Sequence, residues 1–428
     1  MNNRKTWALF ALTLLAALVS SCSSDGKSKE PAFTDPVPVP ADMALTRAEL
    51  ELVSHSNEFA FNLFRQISVS QDADTDPKSI IVSPISITFA SGMLNNGAAN
   101  NTQAQINKVL GFGKTGADSI NAFCYKMLKS APELDSLTKV LIANTIYLNN
   151  GYNLKSTFVQ KAKSFYDAEP ETRDFHDGQT MDVINRWASD HTEKMIQKVL
   201  DEQTFEPDAI SYLLNAIYFK GTWTRKFDVA NTVESEFHHA GSTKEKMLRP
   251  MMRQTAEFDY AETDDFQALS LPYGNGSFRM TVLLPKTKKG QNLNALPPVP
   301  TADAWQQLCG NMGTAVVDVS LPRFETSTDI DLKETMAALG MPDAFDGGKA
   351  DFSNFCDTPV YIGLMKQVAR IKLDEEGSEA AAVTVIGMRK NSAGDSGYVT
   401  FNANHPFLYI ISEQSSGAVF FIGRYTGK

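Results

Sequence analysis

The chain has 428 residues, of which 43% are hydrophobic and 21% are charged, and its formal net charge is −10. This composition is typical of a globular protein with a sizeable hydrophobic core. The acidic balance argues against nucleic-acid binding, because that function needs a basic surface that releases counterions from phosphates.

The first segment has the pattern of a secretory signal peptide. Arg4 and Lys5 precede an apolar run from Trp7 to Val19, which is too short to span a bilayer. The run ends in Leu-Val-Ser-Ser-Cys, which resembles a bacterial lipobox. We therefore expect residues 1–21 to be removed and Cys22 to be lipidated. A plain signal peptide with an incidental cysteine is the alternative.

A tether of residues 22–44 is predicted to follow the anchor. Pro31, Pro36, Pro38 and Pro40 favour extended, polyproline-like geometry. Acyl chains on the cysteine would hold the protein on the bacterial outer membrane, facing the periplasm or the outside. Residues 45–428 are predicted to form one folded domain.

Helical patterns come first in this domain. Leu52, Phe59 and Leu63 recur at helical spacing after residue 45. Proline after Ser83 predicts that a helix begins at Pro84. An amphipathic pattern predicts another helix over residues 182–200.

Strand patterns dominate the rest of the domain. The apolar run 212–219 predicts a central strand that is buried on both faces, and 278–284 predicts another. Residues 365–374 alternate between apolar and charged side chains, and the runs 407–411 and 419–422 predict a buried hairpin. Helices first and strands later predict an α+β fold.

Residue types that could support catalysis or metal binding lack the partners they need. Residues 394–397 read Gly-Asp-Ser-Gly, as at the nucleophile of trypsin-like proteases, but none of the six histidines stands in a matching context. His238 and His239 are predicted to be a surface pair, because adjacent strand residues point to opposite faces. We expect no enzyme activity, no metal and no cofactor. The three widely spaced cysteines are predicted to be buried free thiols: Cys124, Cys309 and Cys356.

The most unusual segment is residues 375–397, because loops this long are uncommon in compact domains and are usually functional or disordered. Small residues come first, and a Gly/Ser-rich tract comes last. Glu375 and Glu376 are predicted to be solvated, and Gly377 supplies hinge freedom. Glu379 falls on the side opposite to a set of small, neutral or apolar side chains. That set is Ser378, Ala380, Ala382, Thr384 and Ile386.

Four separated motifs resemble the serpin family, within a resemblance that covers about residues 45–424. Residues 79–87 resemble the entry to helix B, and 404–407 resemble the core strand after the reactive loop. Residues 215–223 resemble the third strand of sheet A, with Trp223 at the breach. Residues 376–382 resemble the hinge of inhibitory members. The sequence departs from the family at Gln367-Val368-Ala369, where His-Lys-Ala is frequent, and this bears on gating at the top of the sheet.

The resemblance implies a serpin fold with about nine helices, three β-sheets and an exposed reactive-centre loop. It also implies a suicide-substrate inhibitor of serine endopeptidases, with cysteine endopeptidases as a second class. The cut loop would insert into sheet A and trap the acylated protease. A non-inhibitory serpin that acts as a binding or scaffold protein is the alternative. We expect a monomer with either function. The implied hinge residues are Glu376, Gly377, Ser378, Glu379, Ala380, Ala381, Ala382 and Thr384.

The family's usual distance from hinge to bait places the scissile bond between Asn391 and Ser392. Arg389 and Lys390 lie next to it, where a trypsin-like pocket would prefer to cut, and Met388 would suit an elastase-like pocket. We expect cleavage near Lys390–Asn391, so the expected partner is a trypsin-like or elastase-like protease.

Overall fold

Helices and strands follow one another in the described part of the chain largely as the patterns predict. The structure is a computed structural model, and it describes residues 39–72, 76–113, 115–241, 246–286, 293–378 and 397–428. The signal sequence, Cys22 and most of the tether therefore lie outside the described residues.

Eight α-helices occur within the described ranges, and six of them precede residue 200. The described residues also contain three short 3-10 helices: Ala131–Glu133, Val229–Asn231 and Pro342–Phe345. None of the described helices is long and apolar enough to cross a membrane. The α-helices are α1 (Arg47–Asp72), α2 (Pro84–Asn95), α3 (Asn100–Val109), α4 (Ala117–Ser130), α5 (Ser156–Tyr166), α6 (Thr180–His191), α7 (Ala302–Gly310) and α8 (Lys333–Leu339).

The helix boundaries have local causes. Helix α2 begins at Pro84, as predicted, and every one of its residues is buried. Helix α1 begins after Thr46, whose hydroxyl and backbone N–H both lie within hydrogen-bond distance of the Glu49 carboxylate. The helix predicted over 182–200 is wrong at its end: α6 stops at His191, because Glu193 and Lys194 adopt positive φ angles.

Fifteen strands lie within the described ranges. They are β1 (Ile80–Val82), β2 (Thr138–Asn149), β3 (Glu171–Arg173), β4 (Ser211–Thr222), β5 (Val233–His238), β6 (Lys246–Glu262), β7 (Phe266–Tyr273), β8 (Phe278–Pro285), β9 (Gly313–Pro322), β10 (Phe324–Asp331), β11 (Leu364–Asp374), β12 (Gly377–Ser378), β13 (Val399–Asn402), β14 (Phe407–Glu413) and β15 (Val419–Tyr425).

The strands form two hydrogen-bonded sheets. Nine strands belong to one sheet, in the order β1-β15-β14-β8-β7-β6-β9-β13, with β5 paired to β6. The predicted C-terminal hairpin is confirmed as β14 and β15. The α+β class is confirmed, but the described residues give eight α-helices and two sheets in place of the expected nine or so helices and three sheets. One reason is β6, whose 17 residues pair in turn with β5, β9 and β7 and so join two groups of strands into one network.

The second sheet has six strands, in the order β10-β11-β12-β4-β2-β3. The apolar run 212–219 lies in β4, at its centre, as predicted. Helix α2 packs behind β2 and β4, and α6 covers the opposite face, where Ile184 and Ala188 lie in a buried cluster with Tyr212 and Leu214. With apolar groups on both faces, β4 needs no alternation of polar residues.

Two predictions about single residue types are partly wrong. Cys124 and Cys356 are buried free thiols, but Cys309 is exposed near the end of α7, which turns Trp305 and Leu308 to the core. His239 is not a surface residue, because the C-terminal end of the chain lies over it: a Cβ added at Gly427 would lie 2.8 Å from the Cβ of His239. No group of three or more potential metal ligands occurs among the described residues.

Candidate functional site at the hinge end of the six-stranded sheet

The seam between β4 and β11 has two halves. In the first half the two strands are parallel neighbours, and their direct pairing runs from Leu364 opposite Tyr212 to Ala369 opposite Ile217. Beyond this point the register of direct pairs stops, and β12 lies between the ends of the two strands. We call the first part the closed half of the seam and the second part the hinge end.

Strand β12 is antiparallel to both of its neighbours. Ser378 lies opposite Leu373 of β11 and opposite Gly221 of β4. Gly377 likewise lies opposite Asp374 and Thr222. The two residues are fully enclosed at the end of the sheet. The start of the predicted loop is therefore already a strand of the sheet.

Only glycine fits at the first position of β12. Gly377 has a φ of +147°, a conformation that L side chains rarely adopt. A Cβ added there would lie 2.0 Å from the carbonyl oxygen of Gly221. The predicted hinge role of this glycine therefore has a steric basis, since any side chain would push β12 away from β4.

An aromatic pair supports β12 from behind. Trp223 stacks on Tyr273 with ring centroids 4.4 Å apart and an interplanar angle of 9°. The indole N–H donates to the carbonyl of Asp374 at 3.0 Å, and the Tyr273 hydroxyl lies 2.7 Å from the Ser378 hydroxyl. Burial raises the pKa of Tyr273, so its phenol stays protonated at neutral pH. Trp223 thus lies beside β12 at the hinge end of the sheet. The resemblance implies this end as the position of the residue.

The two glutamates before β12 are not solvated, which corrects the prediction. Glu375 is buried and pairs with Arg323 at 2.6 Å, and the Thr232 hydroxyl donates to the same carboxylate oxygen at 2.5 Å. Glu376 pairs with Lys226 at 2.5 Å and is only 12% exposed. Both are drawn inward because their backbone carbonyls accept hydrogen bonds from the segment after β4.

The environment of Glu375 favours its charged form. Burial raises the pKa of this carboxyl, but hydrogen bonds from Arg323 and Thr232 outweigh it and bring the pKa below the ordinary value of 4.5. The ion pair therefore persists at neutral pH. It ties the turn between β11 and β12 to Arg323, which stands between β9 and β10 and so links the two sheets.

Gln367 lies in the closed half of the seam and not at the hinge end, where its departure from the family pattern was expected to act. Its side-chain amide donates to the Asn215 side chain at 2.7 Å and to the Ser86 hydroxyl at 3.0 Å. Its amide oxygen accepts from the backbone N–H of Ser83. These bonds join β11 to β4 and to the start of α2, so the residue fastens the two strands together.

The remaining predicted site residues lie outside the described residues. The structure brings together Glu376, Gly377, Ser378 and Trp223. It says nothing of the later hinge residues Glu379, Ala380, Ala381, Ala382 and Thr384, nor of the bond candidates Met388, Arg389, Lys390, Asn391 and Ser392.

Sequence reasoning missed four residues of the site: Arg323, Lys226, Thr232 and Tyr273. Each belongs to a segment far from the hinge, since Arg323 and Glu375 are separated by 52 positions and Thr232 and Glu375 by 143. No local pattern marks such partners. The one available signal was the pair of adjacent glutamates at the end of a strand, which was interpreted as solvated, although a carboxylate at the end of a buried sheet needs a cation.

Comparisons with known proteins agree with this architecture. A family model described as "Serpin (serine protease inhibitor)" matches residues 54–427. Human serpin B3 is 33% identical over 395 residues, which cover 87% of this chain and 98% of that protein. An uncharacterized serpin-like protein of Methanosarcina acetivorans is 28% identical, over 99% of this chain and 98% of its own length.

Solved structures show the same fold. The native state of the thermophilic serpin tengpin superposes with a TM-score of 0.79 and 26% identity, over 91% of this chain and 100% of that chain. The family model and the relatives together span nearly all of the described domain, including the strands that form the hinge end of the sheet. The chain therefore belongs to the serpin family, whose members are mostly protease inhibitors and not enzymes.

Proposed function

We propose that this serpin is a suicide-substrate inhibitor, which traps a serine protease by inserting its cleaved loop between β4 and β11. The observation that carries the proposal is the position of β12. Its two residues already pair with both strands, in the antiparallel direction that an inserting loop requires. After cleavage, the loop could therefore extend β12 along the seam between β4 and β11.

The register of β12 fixes which loop residues would become buried. Ser378 lies opposite Leu373, so each later loop residue would lie opposite an earlier residue of β11. Continued insertion would set Ala380 beside Ile371 and Ala382 beside Ala369. The β11 side chains on this face are almost fully buried. Small neutral side chains suit such positions, because an unpaired charge would be costly to desolvate.

The same register takes Glu379 to the other face. It would lie opposite Lys372 of β11 and Lys220 of β4, of which the first is exposed and the second is half-buried. A carboxylate is tolerated there, since water and two cations are at hand. The alternation in the loop sequence thus matches the alternation of the strands that would receive it.

Insertion would also move the protease a long way. Residues 377–391 would span about 50 Å as an extended strand, at about 3.3 Å per residue. A protease joined to the end of that strand would be carried to the far end of the seam. Distortion there can stop deacylation, because a misplacement of about 1 Å can cost roughly two orders of magnitude in rate.

A gel assay tests the proposal directly. The intact protein is mixed with trypsin or elastase, and the products are separated under denaturing conditions. Inhibition predicts a covalent complex larger than either component and a small C-terminal peptide. Sequencing that peptide identifies the bond, which we propose lies near Lys390–Asn391. Cleavage of the loop without any complex, across a broad panel of proteases, would instead support a non-inhibitory binding or scaffold role.

We also propose that Cys22 carries the lipid that anchors the protein to a bacterial outer membrane. The signal pattern and the lipobox-like ending support this step. Metabolic labelling with a fatty acid should mark the wild type and not Cys22→Ser. Equal labelling of both, or of neither, would rule out lipidation at this cysteine.

A further inference from the structure

Residues 40–46, which we call the strap, were assigned on sequence grounds mostly to the tether but lie against the folded domain. Met43 is 3% exposed and belongs to the main hydrophobic core. Its backbone N–H donates to the hydroxyl of Ser415, in the turn between β14 and β15, at 2.9 Å. The carbonyl of Ala44 accepts from Lys126 of α4, also at 2.9 Å. The strap is thus docked before α1 begins.

The strap also contacts the turn between β7 and β8. The backbone N–H of Ala41 donates to the Ser277 hydroxyl at 2.9 Å, and the Ala41 carbonyl lies 3.3 Å from the same hydroxyl. Ser277 is fully buried. Pro40 lies over Gly276, since a Cβ added at that glycine would come within 3.2 Å of the proline ring. The turn is therefore covered by the strap.

This turn is directly connected to the hinge end of the sheet. The backbone N–H of Gly274 donates to the carbonyl of Thr222, the last residue of β4, at 2.7 Å. The preceding residue is Tyr273, which stacks on Trp223 and whose hydroxyl contacts Ser378. Gly274 itself is wedged against Asp135, because an added Cβ would lie 1.8 Å from the carboxylate. A shift of the turn would move the support of β12.

We propose that the strap controls how readily the loop enters the sheet. The contacts of the strap keep the β7–β8 turn in place. That turn positions Tyr273 and the end of β4, which contact Ser378 at the hinge end of the seam. Release of the strap frees the end of β4 and lowers the barrier to its separation from β11. This inference rests on the proposed function, because it concerns the barrier to insertion.

The test uses the full chain and two substitutions that loosen the strap. Met43→Ser removes the buried side chain, and Ser277→Ala removes the hydroxyl that binds Ala41. Asp42→Ala, at an exposed position of the same segment, is the matched surface control. Leu308→Ala, in α7 against α1, is a core variant far along the chain that controls for a general loss of stability.

The first readout is the rate at which uncut protein loses the ability to form a covalent complex during incubation without protease. We expect this rate to rise about tenfold in the strap variants, which corresponds to a barrier lower by about 1.4 kcal/mol. The two controls should leave it near the wild-type rate. A strap variant that inactivates no faster than Leu308→Ala overturns the proposal.

The second readout does not need inhibition. Amide hydrogen exchange over residues 273–278 and 375–378 should become faster in both strap variants and stay unchanged in Asp42→Ala. Unchanged exchange at the hinge in Met43→Ser and Ser277→Ala refutes the coupling, whether or not the wild type inhibits a protease. Failure of the wild type to form any complex, with faster exchange in the strap variants, would instead refute the proposed function alone.

Discussion

The closed half of the seam and its hinge end differ in what joins β4 to β11. In the closed half the strands pair directly, and Gln367 adds a side-chain bridge to Asn215. At the hinge end two residues of β12 take the place of direct pairs. In the closed half no strand lies between β4 and β11, whereas at the hinge end the two-residue strand β12 lies between them.

This difference shows where the cost of insertion lies. The first two residues of the new strand are already in place, because β12 pairs with both β4 and β11. Lengthening it beyond residue 381 requires that the direct pairs from Ala369 back to Leu364 be exchanged for pairs with the loop. One parallel interface would be replaced by two antiparallel ones, which increases the number of backbone hydrogen bonds. Under the proposed function, the native arrangement would therefore be kept by a kinetic barrier, because the inserted arrangement would be the more stable one.

The largest effect is expected from moving one charge by one residue. The double variant Glu379→Ala/Ala380→Glu keeps the composition but turns a carboxylate towards Ile371 when the loop inserts. We expect trapping to be lost and the loop to be cut as an ordinary substrate, because a buried unpaired charge is costly. The measurement is the number of inhibitor molecules consumed per protease, which should rise by at least about tenfold, the effect of about 1.4 kcal/mol on the partitioning.

The single variant Glu379→Ala is the control for this swap. It removes a charge from the solvated face and should inhibit as the wild type does. If the swap inhibits as well as the single variant, the register read from β12 does not describe the inserted state.

A smaller effect is expected from the ion pair at the hinge. Arg323→Ala leaves the buried carboxylate of Glu375 without its cation, and we expect the free energy of unfolding to fall by about 2–3 kcal/mol. Arg370→Ala is the matched control, because Arg370 pairs with Glu325 on the same sheet but both side chains are about half exposed. It should cost at most about 0.5 kcal/mol. If denaturant unfolding gives the same loss of unfolding free energy for both variants, the hinge pair contributes no more to stability than an exposed ion pair.

Removal of one hydroxyl should have a still smaller effect. Tyr273→Phe leaves the buried Ser378 hydroxyl without its partner, and we expect a loss of about 1 kcal/mol in thermal unfolding. The double variant Tyr273→Phe/Ser378→Ala removes both hydroxyls and should regain part of the loss. A double variant that is less stable by the sum of both single losses would indicate that the two groups do not interact.

The smallest expected effect is a change with pH in the free energy of unfolding that the Arg323–Glu375 pair contributes. The pKa of Glu375 is lower in the folded protein than its ordinary value of 4.5, so its contribution to stability is complete above that pH and is lost as the pH falls through the lowered value. The difference in stability between the wild type and Arg323→Ala should therefore shrink below pH 4.5. Denaturant unfolding of both proteins across this range measures it, and a constant difference would contradict the assignment.

The sequence predicted those parts of the fold that have a local signal. The start of α2 at Pro84, the central strand β4 and the C-terminal hairpin each depend on one contiguous pattern, and all three were found. The need for a glycine at Gly377 was also predicted, since a small-residue segment after a strong strand is visible in the sequence, whereas its role as a hinge stays a prediction.

Features that depend on long-range contacts could not be predicted. The solvated state expected for Glu375 failed because its partner Arg323 belongs to another part of the chain. The end of α6 was missed because apolar residues beyond it, such as Ile196, are buried without being helical. The docking of Met43 was missed because a proline-rich segment signals extension but does not say what it contacts.

Thermal unfolding of the intact protein and of protein cut once within residues 379–396 tests the central claim most directly. If the seam is poised to accept the loop, the cut protein has an additional strand between β4 and β11 and unfolds at a clearly higher temperature than the intact protein. A cut protein that unfolds at the same or a lower temperature would contradict the account.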